Sequence, residues 1–94
     1  NTYLSAEERK AALVLSRAVK LGQELVRNGE KNADKVVDAM RALIEQEPLA
    51  RIDYVSAVDG LTMLPVHEIN GGELIAMAVY IGKTRLIDNF SVEG

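Results

Sequence analysis

The sequence predicts an α+β domain in which two N-terminal helices pack on one face of a small antiparallel sheet of about three strands. Two observations support this prediction. Apolar residues recur at helical spacing as far as Gln46, and after Pro48 they fall into short strand-like runs separated by turn residues. The 94 residues are 48% hydrophobic and 27% charged, a composition typical of one globular domain with a modest core. We therefore treat residues 1–94 as a single domain.

The first helix is predicted over residues 6–27. Ser5 and Glu8 have the spacing of a capping box, in which each side chain accepts a hydrogen bond from the other residue's amide. Asn28-Gly29 supplies the C-terminal cap. An apolar stripe with helical spacing runs along the segment and consists of Ala11, Val14, Leu15, Ala18, Leu21, Gly22 and Leu25.

The second helix is predicted over residues 33–46, with Asn32 as its N-cap and Pro48 as its stop. Its apolar stripe is Val36, Val37, Met40, Leu43 and Ile44. The linker between the helices, residues 28–32, is short and favours an antiparallel helical pair.

Three strands are predicted after the helices. Residues 51–58 are rich in β-branched and aromatic side chains and end at Asp59-Gly60. Residues 74–81 are apolar on both faces, as in a central strand, and residues 84–89 return beside them through a type II′ turn at Gly82-Lys83. Residues 61–70 have no clear period, and Pro65 limits them to an edge or a loop.

Charge and composition exclude several classes of function. The net charge of −3 argues against nucleic acid as a partner, because phosphate-backbone binding needs a basic surface. No cysteine is present, so a disulfide framework and a thiolate metal site are both excluded. The longest apolar run, residues 74–81, is far shorter than the ~20 residues of a membrane-spanning helix, so no membrane partner is predicted.

The Gly82-Lys83-Thr84 triplet resembles the end of a phosphate-binding P-loop. That loop needs a second glycine five positions earlier, where this chain has Met77. The loop must also open a helix, whereas residues 85–89 alternate like a strand. The triplet is therefore interpreted as part of a β-hairpin.

The candidate reactive residues do not form a complete catalytic set. His67 is the only histidine, and it has neither a cysteine nor a second histidine as partner, so we interpret it as a surface or loop residue. A carboxylate pair is conceivable, for example Asp53 with Asp88, and would make the chain a small independent enzyme.

A basic patch is the remaining candidate. Lys83 and Arg85 lie at the final hairpin and Arg51 begins the first strand, so together they can face an anionic ligand or another domain. The alternative is solvated charge at strand ends.

Four further residues are assigned to the interior. Tyr54 and Tyr80 are expected to bury their rings, and Met40 and Met77 to fill the core.

Four motifs occur in an order that resembles a known family. They are Asn1-Thr2-Tyr3-Leu4-Ser5-x-x-Glu8-Arg9, Pro48-x-Ala50-x-Ile52-x-Tyr54, Asp59-x-x-Thr62-x-x-Pro65-Val66 and Gly82-Lys83-Thr84-Arg85-Leu86-Ile87-Asp88-Asn89. Together they resemble the C-terminal domain of the pantoate–β-alanine ligases, or pantothenate synthetases. The resemblance covers nearly the whole chain, and the order and spacing of the four motifs make it specific.

The resemblance implies a cytoplasmic, homodimeric, ATP-dependent ligase that also uses Mg²⁺. Members of the family convert pantoate to pantoyl adenylate with release of pyrophosphate, and β-alanine then attacks the acyl carbon to give pantothenate and AMP. In the family an N-terminal Rossmann-like domain carries most of the substrate site, and the C-terminal domain acts as a lid over it.

The sequence departs from the family by what it lacks. It has no His-x-Gly-His motif, and it starts at the asparagine that follows the family's Ser-Ser-Arg. The resemblance therefore assigns no catalytic, cofactor-binding or metal residue to this chain, and it places ATP and Mg²⁺ in the longer parent enzyme.

Three residues, Asn1, Tyr3 and Leu4, match the segment near the interdomain hinge, and Lys83 and Arg85 are candidates for the face toward the N-terminal domain. We expect the isolated chain to fold and to be inactive. The alternative is a stand-alone α+β binding or regulatory module.

Overall fold

The computed structural model describes residues 5–93, which form two helices followed by a three-stranded sheet. The elements are α1 (Ala6–Arg27), α2 (Ala33–Glu45), β1 (Ala50–Asp59), β2 (Glu73–Ile81) and β3 (Thr84–Ser91). The strands are antiparallel in the order β1-β2-β3. The predicted α+β class, the two helices and the three strands are confirmed. Half of the ten element boundaries match the prediction, and the other half differ from it by one or two residues.

The start of α1 is fixed by the predicted capping box. The Ser5 amide donates to Glu8 Oε1 at 2.9 Å, and the Glu8 amide donates to Ser5 Oγ at 3.1 Å. These two bonds satisfy amides that would otherwise lack a partner in the first turn. The buried side of the helix consists of Ala11, Val14, Leu15, Ala18 and Gly22.

The second helix begins at the predicted cap and ends one residue earlier than predicted. Asn32 Oδ1 accepts from the Lys35 amide at 3.2 Å, and Gln46 is the C-cap of α2 rather than its last residue. The side of α2 that faces the core carries Ala33, Val36, Met40 and Ile44, all buried completely.

The hairpin between β2 and β3 has the predicted two-residue turn. Ile81 pairs with Thr84 across the turn. Of the two turn residues, Gly82 has a φ of +62° and Lys83 has a negative φ. Positive φ at the first turn position alone is the pattern of a type II′ turn. The turn therefore aligns β3 beside β2 in register over the whole of β3, from Thr84 to Ser91.

The core lies between the two helices and one face of the sheet. Ile75, Met77, Val79 and Ile81 alternate along β2 and are fully buried in this core. Within residues 5–93, no helix lies over the other face of the sheet. We call this second surface, with Arg51, Tyr80 and Arg85 at one end, the open face.

Residues 61–70, for which the sequence predicts an edge or a loop, connect the edge of β1 to the turn between the helices. Pro65 forms an isolated bridge with Val58. The Ile69 amide donates to the Lys31 carbonyl at 2.7 Å, and the Ala33 amide donates to the His67 carbonyl at 3.0 Å. The segment is therefore held by backbone bonds to distant parts of the chain, although it contains no helix or strand.

Two of the four interior assignments hold fully. Met40 and Met77 are completely buried, as predicted. The prediction for Tyr54 is wrong, because it lies on the open face and is 36% exposed, and Tyr80 on the same face is half-buried. Both residues belong to the open face of the sheet.

Candidate functional site

The open face carries the predicted basic residues at one end. Strand register places Arg51 opposite Tyr80, and Tyr80 opposite Arg85, so the three side chains form one row across β1, β2 and β3. Lys83 lies just beyond this row, in the hairpin turn. The structure thus brings together the three basic residues that the sequence could only place near strand ends.

Arg85 is bound to a carboxylate on the same face. Its Nε and Nη2 donate to Asp53 Oδ2 at 3.1 and 2.9 Å, and both side chains are 41% exposed. The hydrogen bond to Asp53 raises the pKa of the Arg85 guanidinium above its usual value. The strand register shifts between Ile52 and Tyr54, and this irregularity accompanies the approach of Asp53 to Arg85.

Arg51 is oriented by an aromatic ring. Its guanidinium carbon lies 4.8 Å from the centroid of the Tyr80 ring, within the range of a cation–π contact. Lys83 has no carboxylate within ion-pair distance among residues 5–93. The patch therefore offers two oriented guanidinium groups, one of them paired with Asp53, and one lysine in a turn.

The basic end of the sheet lies beside the start of α1. The Gly82 amide donates to the Leu49 carbonyl at 3.3 Å, and Gly82 lies directly against the Glu8 carboxylate. A side chain at position 82 would occupy the space of that carboxylate. The patch is consequently close to the point where the chain enters α1. The predicted hinge residues Asn1, Tyr3 and Leu4 lie outside the described residues.

The structure does not bring the other candidate residues together. Asp53 contacts Arg85 on the open face, whereas Asp88 alternates with Leu86 and Phe90 on the helix side of β3. The two carboxylates lie on opposite faces of the sheet and cannot act as a pair.

The histidine is at the surface, as predicted. His67 Nδ1 lies 3.2 Å from Asp34 Oδ1, and both side chains are exposed. No group of three or more histidine or acidic residues that could hold a metal ion occurs within residues 5–93. In the same range no helix is long and apolar enough to cross a membrane.

An exposed apolar loop is the feature that the sequence analysis did not single out. Leu61, Met63 and Leu64 are 96%, 58% and 64% exposed, although each has a large apolar side chain. We call these three side chains the apolar tip. The available signal was the position of apolar residues between the turn residues Asp59-Gly60 and Pro65, where burial is rare.

Hydrogen bonds to Asp59 shape the loop that carries the tip. Asp59 Oδ1 accepts from the Leu61 amide at 2.8 Å and from the Thr62 amide at 3.0 Å. Hydrogen bonds from the backbone amides of Thr62 and Leu61 lower the pKa of the Asp59 carboxyl. The Met63 amide donates to the Asp59 carbonyl, and Met63 has a φ of +62°, which is uncommon for a residue with a side chain.

Comparison with known proteins shows to which family this chain belongs. The family model described as Pantoate-beta-alanine ligase matches residues 1–91. The chain belongs to this family. A pantothenate synthetase of Ruminiclostridium cellulolyticum is 57% identical over 91 residues, which are 97% of this chain and 32% of that protein. A pantothenate synthetase of Clostridium acetobutylicum is 53% identical over the same shares of the two chains.

A solved structure of the same family resembles this chain in fold and in sequence. The crystal structure of pantothenate synthetase from Thermus thermophilus superposes with a TM-score of 0.90 at 33% identity, and the match covers 100% of this chain and 34% of that one. The chain thus spans about one third of the length of the pantoate–β-alanine ligases that it matches.

Proposed function

We propose that residues 1–94 form the C-terminal lid of a longer ATP-dependent ligase that joins pantoate to β-alanine. The observation that carries the proposal is the family match over nearly the whole chain, which spans only about a third of each relative. In the proposed reaction, pantoate and ATP give pantoyl adenylate and pyrophosphate. The amine of β-alanine then attacks the acyl carbon, and pantothenate and AMP are released.

The lid excludes water from the adenylate. An acyl adenylate is hydrolysed when water reaches it, and closing a domain over the site protects it and strengthens the polar contacts inside. A two-layer domain with a continuous core suits this role because it moves as a rigid body. The hinge is proposed at Asn1, Tyr3 and Leu4, which directly precede the capped start of α1.

The basic patch is proposed to face the catalytic domain. Arg51, Lys83 and Arg85 lie at the end of the sheet next to the start of α1, and hence next to the proposed hinge. Arg85 is held by Asp53, so its part is to fix the shape of this end of the open face. Lys83 and Arg51 are the groups we propose for contact with anionic groups across the domain boundary.

ATP and Mg²⁺ are proposed to bind outside this chain. Residues 5–93 hold no cluster of donors suited to a metal ion, and we assign them no catalytic role. The partner of the lid is the N-terminal catalytic domain of the same polypeptide. The complete enzyme is proposed to be a cytoplasmic homodimer.

Assays on the purified 94-residue chain test this proposal. We expect a helical far-UV spectrum and a cooperative thermal transition, because the capped helices and the apolar β2 strand form their own core. We expect no AMP from ATP, pantoate and β-alanine. If the chain forms AMP above the level of a reaction without protein, catalysis does not lie only in the N-terminal domain, and this part of the proposal is refuted. Non-cooperative melting would refute independent folding of the chain.

A further inference from the structure

The apolar tip has the properties of a preformed binding surface. Leu61, Met63 and Leu64 point into solvent from a loop that has no charged side chain between Gly60 and Val66. The carboxylate at the start of the loop, Asp59, is directed back at the amides of its own loop. A surface of this kind fits an apolar pocket and offers nothing to an anionic or cationic ligand.

Backbone hydrogen bonds hold the loop at both of its ends. The Asp59 amide donates to the Leu64 carbonyl at 2.8 Å, and the Val66 amide donates to the Ala57 carbonyl at 3.0 Å. Gly60 is in close contact with the Gly72 carbonyl and donates to it at 3.0 Å. Little freedom is lost when such a loop meets a partner, which favours binding.

The tip lies at the end of the sheet opposite the hairpin turn. The ten residues of β1 run from Ala50, beside the turn, to Asp59, which begins the loop. At roughly 3.3 Å per residue the strand separates the two ends by about 30 Å. Because the chain enters α1 beside the hairpin turn, the tip lies far from that entry point and is displaced by a large distance when the domain rotates about it.

We propose that the apolar tip is a latch, which inserts into an apolar pocket on the catalytic domain of the same polypeptide when the lid closes. This inference rests on the proposed function. The size of the tip identifies the occupant. Three exposed side chains offer roughly a few hundred Å², well below the ~800 Å² per partner of a stable complex between separate chains. A tethered domain needs far less, because the tether supplies an effective concentration in the mM range.

Site-specific photo-crosslinking in the full-length enzyme tests the latch. Leu61→benzoylphenylalanine is compared with Leu13→benzoylphenylalanine, since Leu13 is a 54% exposed residue on α1, away from the tip. We expect position 61 to crosslink to peptides that precede residue 1, in several-fold higher yield than position 13. Enzyme mixed from ¹⁴N and ¹⁵N chains shows whether each crosslink joins one chain or two.

Other results would overturn the latch. Crosslinks that join a light and a heavy chain would make a second copy the occupant. Crosslinks that appear only with added phosphatidylcholine vesicles would point to a lipid surface. Equal yields at positions 61 and 13 would show that the tip has no specific partner.

An activity measurement gives an independent readout. The double variant Leu61→Ser, Leu64→Ser is expected to fold normally, because both side chains are exposed, and to release AMP without pantothenate several-fold more often than the parent enzyme. Leu13→Ser is the matched control. If the parent enzyme forms no pantothenate, the proposed function fails. If the parent is active and the variant is unchanged, only the latch fails.

Discussion

Gly22 determines how closely α1 approaches the rest of the core. A Cβ built at this position would lie 2.7 Å from Met40 Sδ and 2.9 Å from Phe90 Cε2. Both neighbours are buried and have little room to move. The glycine therefore lets α1, α2 and β3 come into contact at one point. The stabilisation from this contact outweighs the low helix propensity of glycine.

Gly22→Leu is expected to lower stability by about 1–3 kcal/mol, the usual cost of overpacking a core. For a domain of this size each 1 kcal/mol lowers Tm by roughly 4–8 °C. Ser16→Leu adds the same side chain to an exposed position of α1 and is the control. Thermal unfolding followed by circular dichroism measures both. Equal Tm values for the two variants would show that the core has room at position 22.

Asp59 makes the stability of the tip loop depend on pH. Its folded-state pKa lies below the ordinary value of 3.8, mainly because the Thr62 and Leu61 amides bond to the carboxylate. A lowered pKa means that the stabilisation is complete above the unfolded-state pKa and is lost as pH falls through the folded-state pKa. Asp59→Asn should therefore be less stable than the parent at pH 7, and the difference should shrink below about pH 4. Urea unfolding from pH 2 to pH 7 measures it, and a difference that does not change with pH would contradict the role of the charge.

At the scale of elements, the β2–β3 hairpin is tied to the first turn of α1. Gly82 provides the positive φ of the turn and also leaves space for the Glu8 carboxylate, which caps α1 at the same time. Two local requirements thus meet at one glycine, and the end of the sheet is fixed relative to the start of the helix.

Gly82→Ala should destabilise the domain by more than the ~1–3 kcal/mol strain of a positive φ alone, because the added Cβ meets Glu8. A double-mutant cycle with Glu8→Ala separates the two contributions. We expect the cost of Gly82→Ala to be smaller in the Glu8→Ala background, as measured by chemical denaturation. Strict additivity would mean that the carboxylate moves aside without cost.

The elements were predictable where their signals are local. Caps, periodicity and a two-residue turn lie within a few residues of one another, so α1, α2 and the β2–β3 hairpin could be read from the sequence. Residues 61–70 could not be assigned, because their hydrogen bonds reach Lys31, Ala33 and Ala57, which are distant in the chain. Tyr54 was misplaced because the alternation of a strand does not say which face the helices will cover.

The candidate site was predictable only in part, for the same reason. Residue types identified Lys83 and Arg85 as basic groups near the hairpin. The partners that define their roles depend on strand register, which brings Asp53 to Arg85 and Tyr80 to Arg51. The position of the apolar tip between turn residues was its only signal in the sequence, and its degree of exposure results from how the loop folds back onto β1.

At the scale of the whole molecule, the hairpin turn and the apolar tip mark two ends with different properties. The turn end carries the basic patch beside the start of α1, and the tip end carries uncharged apolar side chains. In a lid, the first end lies at the proposed hinge and the second end, far from it, is displaced by a large distance on closure. The two ends thus match the two tasks of a hinged domain, rotation at one end and closure at the other.

The most direct test of this account is the ratio of pantothenate to AMP formed from ATP, pantoate and β-alanine. It is measured for the longer enzyme, for the same enzyme without residues 1–94, and for the two parts mixed. We predict a ratio near one for the intact enzyme and loss of pantothenate, with or without residual AMP, when these residues are removed, because the adenylate is then open to water. An unchanged rate and ratio after their removal would contradict the assignment of this chain as the lid.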